Sequence, residues 1–479
     1  MNATEIPRRR RLLILAICCM SLLIVGLDTT VVNVALPSID RSLHASLAGL
    51  QWVVDAYTLV LASLLMLSGS TGDRIGRRRV FQTGLLLFVL GSALCALAPT
   101  LAVLVGARAL QAVGGSMLNP VAMSIIRNVF ENPRERAQAV GMWSATIGIS
   151  MGLGPVLGGI LVDSAGWRYV FLINVPIGLT ACLLTAIYVP ESRAQHPRAI
   201  DAVGQALVLV GLASLTYAII EGQGHGWTSA EILSLFALAL VCFTVLVPYE
   251  LRRREPLLNV RFFRSAPFAG ASLAALFGFG SFGGFLFLNT LYLQDVRGLS
   301  AFDAGLCTLP IAAMTFLLAP LSGRIVAHRG TRLPLMVAAL TLIASPLMLI
   351  GLSVHTPLAL LIGSYLVFGI GFGMLNPPIT NTAISGMPPA QAGVAAAVAS
   401  ASRSIGTTIG IAVLGAIAGA GAGAGFGPAF ARATHPAWWL LAVLGALVLG
   451  TGIVSSTAWA RRTALATAER LAEAEIALV

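Results

Sequence analysis

Fourteen runs of apolar residues, each close to the length that crosses a bilayer, alternate with polar loops along this 479-residue chain. A membrane-spanning helix needs about 20 predominantly apolar residues. The runs lie at 12–36, 47–69, 80–98, 101–123, 138–163, 167–189, 203–221, 229–249, 266–294, 301–326, 333–353, 356–376, 393–418 and 436–459. Only 10% of the residues are charged, whereas a soluble domain has about 25%. The sequence therefore predicts an all-α integral membrane protein with 14 transmembrane helices.

The distribution of arginine predicts how these helices are oriented. All 30 basic residues are arginine. With both termini in the cytoplasm, 24 arginines fall on the inner side, two lie within spans, and only Arg41, Arg168, Arg297 and Arg432 fall outside. This excess follows the positive-inside rule and predicts an even number of spans in the inner (plasma) membrane. Because the arginines are spread from loop to loop, we expect the net charge of +11 to reflect topology and not nucleic-acid binding.

Other residue types argue against an enzyme. The six cysteines lie in apolar runs without a Cys-x-x-Cys spacing, and the six histidines are scattered over loops. We therefore expect no disulfide framework, no metal site, no cofactor and no catalytic set. A chain without lysine also lacks the Gly-x-x-x-x-Gly-Lys loop of an ATP-driven pump. The first run contains Asp28 and no small-residue cleavage pattern, so it is predicted to be a helix and not a signal peptide.

Three short segments of the first half recur in the second half. The pairs are LSGSTGDRIGRRR (Leu67–Arg79) with LSGRIVAHRGTR (Leu321–Arg332), Leu43–Leu50 with Leu299–Leu306, and Met117–Pro120 with Met374–Pro377. Their offsets of 254 to 257 residues cover eight spans. The repeat thus predicts two pseudo-symmetric six-helix bundles with two inserted helices between them. Repeated membrane architectures of this kind place a substrate path at the interface between the halves.

The repeat and the apolar runs together predict the domain boundaries. They are a cytoplasmic N-terminal tail at 1–11, the first bundle at 12–189, the inserted helices with their linkers at 190–265, the second bundle at 266–459 and a cytoplasmic C-terminal tail at 460–479. The Ala/Glu/Arg pattern from Arg461 predicts a short helix in the last segment.

Four ionisable side chains lie well within predicted spans, where charge is costly and marks functional pathways. They are Asp28, Asp55, Arg108 and Arg403. The first three lie roughly 10–12 Å below the outer ends of their helices, at about 1.5 Å per residue. One interpretation is a proton site, in which Asp28 carries the proton and Arg108 adjusts its affinity, because a nearby guanidinium favours the charged carboxylate whereas burial disfavours it. The other is a static ion pair, with Asp28 or Asp55 neutralising Arg108.

Six sequence segments carry a resemblance to a known family. They are LDTTVVNVALP (27–37), QWVVDAY (51–57), GSTGDRIGRRR (69–79), RALQAVGG (108–115), GPVLGG (154–159) and WRYVFLINVPIG (167–178). The chain resembles the major facilitator superfamily, of the fourteen-helix drug:proton antiporter type that includes quaternary-ammonium and multidrug exporters. Ala112 and Ser404 depart from the usual glycine and glutamine of that family. The resemblance implies proton-coupled export of amphipathic compounds, with Asp28 and Arg108 in proton coupling, and a role in antibiotic resistance. Asp55 is a further candidate for proton coupling because of its position within a span, and its alternative role is a hydrogen bond near the interface.

The resemblance also implies roles for two glycine-rich segments. A conformational latch on the cytoplasmic side would use Gly69, Asp73, Arg74, Gly76, Arg77 and Arg78. The alternative is a solvated positive-inside loop, which accounts for the arginines but not for Asp73 and the paired glycines. An antiporter motif associated with exporters would use Gly152, Gly154, Pro155, Gly158 and Gly159. Small residues also let membrane helices pack closely, so ordinary packing explains part of this pattern.

Polar and aromatic residues within the spans are candidates for a substrate cavity. They are Asn33, Gln111, Trp143, Asn289, Tyr292, Tyr365, Asn376 and Arg403. Arg403 can cap carbonyls, line the cavity or face an anionic substrate group, and the sequence does not rank these roles. Tyr365 occupies the position in the repeat that corresponds to Arg108, so proton coupling is expected in the first bundle.

We expect an amphipathic small-molecule substrate, protons and the lipid bilayer as partners, and we expect a monomer. The alternatives are a dedicated exporter of one endogenous metabolite and, less favoured, a proton-coupled importer.

Overall fold

The structure, a computed structural model, is entirely helical over the residues that it describes. These are 7–194, 200–253, 256–385, 387, 392–422 and 428–476. The remaining parts of the predicted tails and linkers, at 1–6, 195–199, 254–255 and 477–479, lie outside the described residues.

Nine helices form the described chain up to Arg252. They are α1 (Arg8–Leu43), α2 (Leu47–Ile75), α3 (Arg77–Leu97), α4 (Leu101–Val129), α5 (Pro133–Ser164), α6 (Tyr169–Leu172), α7 (Asn174–Tyr188), α8 (Ala202–His225) and α9 (Ala230–Arg252). Side-chain caps begin several of them: the hydroxyl of Ser46 accepts the N–H of Gly49 in α2, and that of Thr100 accepts the N–H of Val103 in α4. Such caps satisfy backbone donors that a helix start leaves unpaired. The predicted sixth span corresponds to α6 and α7, which are separated at Ile173.

Eight helices follow in the rest of the described chain. They are α10 (Ala266–Leu291), α11 (Ala301–Arg329), α12 (Arg332–Leu347), α13 (Leu358–Ile384), α14 (Ala392–Ala422), α15 (Pro428–Ala433), α16 (His435–Ser455) and α17 (Ala458–Ile476). A 3₁₀ turn (Val260–Arg264) precedes α10, and a π-helical turn (Tyr292–Val296) continues it. Helix α17 confirms the helix predicted after Arg461.

Thirteen helical segments of the described chain are long and apolar enough to cross a membrane. The fourteenth predicted span, 333–353, is the shorter helix α12 with 16 residues, about 24 Å at 1.5 Å per residue. It ends at Leu347, one residue after Pro346, whose ring crowds the preceding turn and removes one of its hydrogen bonds. With that shortening, the predicted all-α membrane fold is confirmed.

The chain divides into two units. The first comprises the described parts of Met1–Gln205 with Gly298–Leu309, and the second comprises Ala206–Arg297 with Pro310–Val479. In the first unit α1 packs on α5, and α3 packs on α4 and α7. In the second unit α10 packs on α14, and α12 packs on α13 and α16. The same pairing of equivalent helices in both units is the structural counterpart of the sequence repeat.

Repeat-related serines make equivalent contacts in the two units. Ser68 in α2 shares a hydrogen bond of 2.9 Å with the hydroxyl of Ser116 in α4. Ser322 in α11 donates to the carbonyl oxygen of Met374 in α13 at 3.0 Å. Each serine therefore joins the helix that carries the basic loop to the helix that carries the repeated Met-Leu-Asn-Pro segment.

Candidate functional site

A carboxylate–guanidinium pair lies inside the first unit. Asp28 on α1 and Arg108 on α4 are joined by a hydrogen-bonded ion pair of 2.5 Å between Nη1 and Oδ2. Both side chains have no solvent exposure. The two helices bring these residues together across 80 positions of sequence, which agrees with the common depth predicted for them.

Two amides complete the surroundings of Asp28. Gln111, one turn after Arg108, donates to Asp28 Oδ1 at 2.7 Å and accepts from Arg108 Nη1 at 2.7 Å. Asn174, at the start of α7, donates to the same Oδ1 at 3.1 Å. We call Asp28, Arg108, Gln111 and Asn174 the charge network. Three side-chain donors, from Arg108, Gln111 and Asn174, thus converge on one carboxylate.

The guanidinium of Arg108 also binds α2. Its Nε donates to the carbonyl oxygen of Val53 at 2.9 Å. Its central carbon lies 4.3 Å from the ring centroid of Tyr57 and 5.7 Å from that of Phe171. Aromatic faces attract a guanidinium electrostatically, more strongly when water is excluded. The charge network therefore contacts residues of α1, α2, α4, α6 and α7.

Asp55 is buried but stands apart from the charge network. Its side chain is fully buried in α2, and Thr58 donates to its Oδ1 at 3.3 Å. Its Oδ2 has no hydrogen-bond partner within the described part of the chain. No basic group among the described residues forms an ion pair with it. Asp55 is thus a second carboxyl group inside the bundle, and it forms no ion pair with Arg108.

The segment Gly69–Arg79, predicted as a loop, forms the end of α2, Gly76 and the start of α3. It is held by contacts within the first unit. Asp73 accepts from Arg77 Nη2 at 2.8 Å and Nε at 3.0 Å, and its carbonyl oxygen accepts the N–H of Ala194 at 3.0 Å. Glu191 accepts the N–H of Arg78 at 3.1 Å. Gly76 has φ of +129°, in the region that favours glycine. Arg74 is exposed, and Gly69 faces Pro120 of α4. The linker residue Glu191 was not predicted as part of this loop.

The glycine motif of α5 allows close helix packing. A Cβ added at Gly154 would overlap the Thr30 side chain of α1, and one at Gly158 would lie 3.2 Å from Val31 Cα. One at Gly159 would lie 2.5 Å from Phe302 Cα, in the first turn of α11. Pro155 lies within the helix, and Gly152 is half-buried.

The remaining candidate cavity residues fall into separate groups. In the first unit Asn33 donates to Thr29 of its own helix, and Trp143 is half-buried. In the second unit Tyr365 donates to Asn289 at 2.7 Å, and Tyr292 donates to the Ser353 carbonyl oxygen at 2.7 Å. The position equivalent to Arg108 therefore belongs to a neutral hydrogen-bonded pair.

Arg403 forms a group of its own in the second unit. It lies on α14 and donates from Nη1 to Asn376 Oδ1 of α13 at 2.6 Å. The two predicted cavity residues Asn376 and Arg403 are thus brought together. They share no hydrogen-bond partner with the Tyr365–Asn289 pair.

Sequence reasoning missed Asn174 and Ser92. Asn174 lies in WRYVFLINVPIG, and Ser92 accepts from Gln111 Nε2 at 2.7 Å. Both are small polar residues inside apolar spans, a signal that identifies a buried hydrogen-bond partner but not which residue it binds.

Repeated helical units that bury a carboxylate–arginine pair inside an apolar bundle are typical of membrane transporters. Residues 18–411 match the sequence profile described as Major Facilitator Superfamily. Since that match covers most of the chain, this protein belongs to the Major Facilitator Superfamily.

Two relatives and one solved structure illustrate the similarity. The multidrug resistance protein Stp of Mycobacterium tuberculosis is 38% identical over 388 residues, 81% of this chain and 72% of Stp. The methylenomycin A resistance protein of Streptomyces coelicolor is 36% identical over 373 residues, 78% of each chain. The crystal structure of a D-xylose-proton symporter is similar with a TM-score of 0.67 and 16% identity, over 93% of this chain and 97% of the symporter. At that identity the structure supports the fold alone.

Proposed function

We propose that this protein exports amphipathic small molecules from the cytoplasm in exchange for external protons, as a drug:proton antiporter. The observation that carries the proposal is the fully buried Asp28 carboxylate, held by Arg108, Gln111 and Asn174 inside the bundle. The names of Stp and of the methylenomycin A resistance protein support export of drugs or antibiotics as the activity.

In this mechanism, proton binding to Asp28 removes the negative charge that neutralises Arg108. The ion pair weakens, and the guanidinium loses part of its hold on the junction of α1, α2 and α4. The amides of Gln111 and Asn174 keep a hydrogen-bonded site for the neutral acid. Release of the proton restores the pair. Asp55 is a second protonatable carboxylate in the same unit, whereas the neutral Tyr365–Asn289 pair supports coupling by the first unit only.

We assign supporting roles to the two glycine-rich segments. The loop with Gly69, Asp73, Arg74, Gly76, Arg77 and Arg78 acts as a cytoplasmic latch during alternating access. The α5 motif lets α1 and α5 move past each other while closely packed, and its resemblance to a motif of exporters favours outward transport.

In this proposal both termini lie in the cytoplasm, and the protein works as a monomer in the plasma membrane.

A dedicated exporter of one natural product is the second candidate. The name of the Streptomyces coelicolor relative refers to a single antibiotic and favours this narrower specificity. An importer is disfavoured by the α5 motif. A panel of unrelated dyes separates the two exporters, because a dedicated exporter transports none or one of them.

The test is dye transport into inverted membrane vesicles with an imposed proton gradient, using a cationic dye, ethidium, and an anionic aromatic carboxylate dye, carboxyfluorescein. We expect gradient-dependent transport by the wild type and its loss in Asp28→Asn and Arg108→Ala at equal membrane levels. Glu131→Gln, which removes an exposed carboxylate outside the spans, is the control and should transport normally. Unchanged transport in both variants would reduce the charge network to a structural ion pair.

A further inference from the structure

The second unit contains a partly exposed arginine, Arg403, within a membrane-spanning helix, and all of its hydrogen-bond partners are neutral. Arg403 Nη1 donates to Asn376 Oδ1 at 2.6 Å and to Thr380 Oγ1 at 3.2 Å, and Nη2 donates to Ser400 Oγ at 2.8 Å. Within the described residues, no carboxylate lies within 4.0 Å of this guanidinium. These contacts use three of the five N–H donors that an arginine has. The group is oriented but its charge is uncompensated.

Arg108, the other deep arginine of the chain, has a different environment. Arg108 is fully buried and has Asp28 as its counter-charge. Arg403, by contrast, is partly exposed, as are its partners Asn376 and Thr380. A charge within a span is costly unless it is paired or faces a polar cavity. The partial exposure and the missing counter-charge together indicate that the partner of Arg403 comes from outside the chain.

Aromatic side chains adjoin this arginine. The central carbon of the guanidinium lies 5.9 Å from the ring centroid of Phe279 on α10. The Phe279 ring lies 5.0 Å from that of Phe372, which stacks on Phe282 at 4.1 Å. Phe279 and Phe282 are partly exposed. A guanidinium can bind a carboxylate through two parallel hydrogen bonds. The Arg403 guanidinium beside the Phe279 and Phe282 rings therefore suits a ligand with an aromatic body and one acidic group.

We propose that Arg403, Asn376 and Thr380 bind the anionic group of the transported compound, an aromatic carboxylate or phenolate, with Phe279 and Phe282 against its rings. This assignment rests on the proposed export function, since it names the class of its substrate. It places substrate charge recognition in the second unit and leaves Asp28 of the first unit free for the proton.

The test is calorimetric binding to the purified full-length protein in detergent, without a proton gradient. The probes are 2-naphthoate and its neutral analogue 2-naphthamide. We expect the wild type to bind 2-naphthoate at least about tenfold more tightly than the amide, as for a hydrogen bond to a charged group. Arg403→Gln should remove this preference and Arg403→Lys should keep part of it. Arg329→Gln, an exposed arginine of the same unit, is the matched control and should keep all of it.

Equal binding of the two probes by the wild type would overturn the proposal without any variant, and so would an equal loss of both probes in Arg403→Gln. Because binding is measured without transport, the result is independent of proton coupling. A naphthoate preference in a protein whose efflux does not respond to a gradient would retain the Arg403 site and reject antiport. Gradient-driven efflux by a protein that binds the two probes equally would retain antiport and reject the Arg403 site.

Discussion

At the scale of single residues, the two deep arginines of this chain have opposite environments. Arg108 is neutralised by Asp28 and enclosed by Tyr57 and Phe171, whereas Arg403 has only neutral partners. In the sequence both arginines lie within predicted apolar spans. They differ because a neighbouring helix places a carboxylate, Asp28, against Arg108 and an amide, Asn376, against Arg403. We therefore expect substitution of the two arginines to have different effects.

We expect strong coupling between Asp28 and Arg108 in a double-mutant cycle. Asp28→Asn leaves a buried unpaired guanidinium, and removing one partner of a buried pair costs about 3–5 kcal/mol. Adding Arg108→Gln removes that unpaired charge, so the double variant should unfold with a free energy closer to that of the wild type than the sum of single effects predicts. The measurement is unfolding in mixed detergent micelles.

The exposed ion pair between Arg11 and Glu135 is the control for that cycle. Its side chains are 23% and 41% exposed, and pairs of this kind contribute about 0–1 kcal/mol. Glu135→Gln should therefore change the free energy of unfolding little. Additive effects of Asp28→Asn and Arg108→Gln would contradict the coupling.

At the scale of helices, glycine fixes how closely elements approach. Gly154 packs against Thr30 so tightly that a methyl group would overlap both Oγ1 and Cβ of that residue. Gly76 ends α2 with a backbone conformation that side chains rarely adopt, and the Glu191 carboxylate occupies the space beside it. In both places the sequence predicted a glycine-rich segment but not the neighbour that requires glycine, and it predicted α2 to end six residues before Ile75.

Gly154→Ala should destabilise the protein, because overpacking costs about 1–3 kcal/mol. Gly141→Ala is the matched control in the same helix α5, where an added Cβ meets nothing within 4 Å. Alanine there should be neutral or slightly stabilising, since it favours helix over glycine by up to about 1 kcal/mol. Melting temperatures in detergent distinguish the two variants, and equal melting temperatures would refute the close contact of α1 with α5.

Gly76→Ala should be more harmful than Gly330→Ala, its counterpart in the repeat. Both glycines have positive φ, +129° and +80°. At Gly76 an added Cβ would also lie 2.6 Å from Glu191 Oε1, whereas at Gly330 it meets nothing within 4 Å. We expect a larger loss of dye efflux and of melting temperature for Gly76→Ala. If Gly330→Ala were equally harmful, backbone strain and not the Glu191 contact would explain the effect.

At the scale of the whole molecule, the arginine distribution predicts which loops lie in the cytoplasm. Glu131 lies in a loop predicted to be cytoplasmic and Asp303 at a turn predicted to be external, and both side chains are exposed. In a background with the six cysteines replaced by alanine, we introduce Glu131→Cys or Asp303→Cys. A membrane-impermeant maleimide added to intact cells should label only the second variant. Labelling of the first variant alone would reverse the orientation.

The membrane fold was predictable from the sequence, because apolar length and a repeat of 254 to 257 residues need no knowledge of contacts. The sequence also identified Asp28 and Arg108, since charges in apolar spans are conspicuous, and the twofold pairing pattern followed from the repeat. Tertiary structure decided which of these charges meet. The sequence predicted Asp28, Arg108 and Asp55 at one depth. The rotation of α2 about its axis, however, places the Val53 carbonyl oxygen and not the Asp55 side chain against Arg108, and Asp55 accepts a hydrogen bond from Thr58.

Tertiary structure also decided the partners of neutral residues. Asn174, Glu191 and the Phe279–Phe372 contact became significant only when helices far apart in sequence were packed together. The physical reason is that hydropathy and periodicity report how each residue partitions between lipid and protein, which is a property of one segment. The partner of a buried polar group depends on the rotation and register of two segments, and no single segment encodes that.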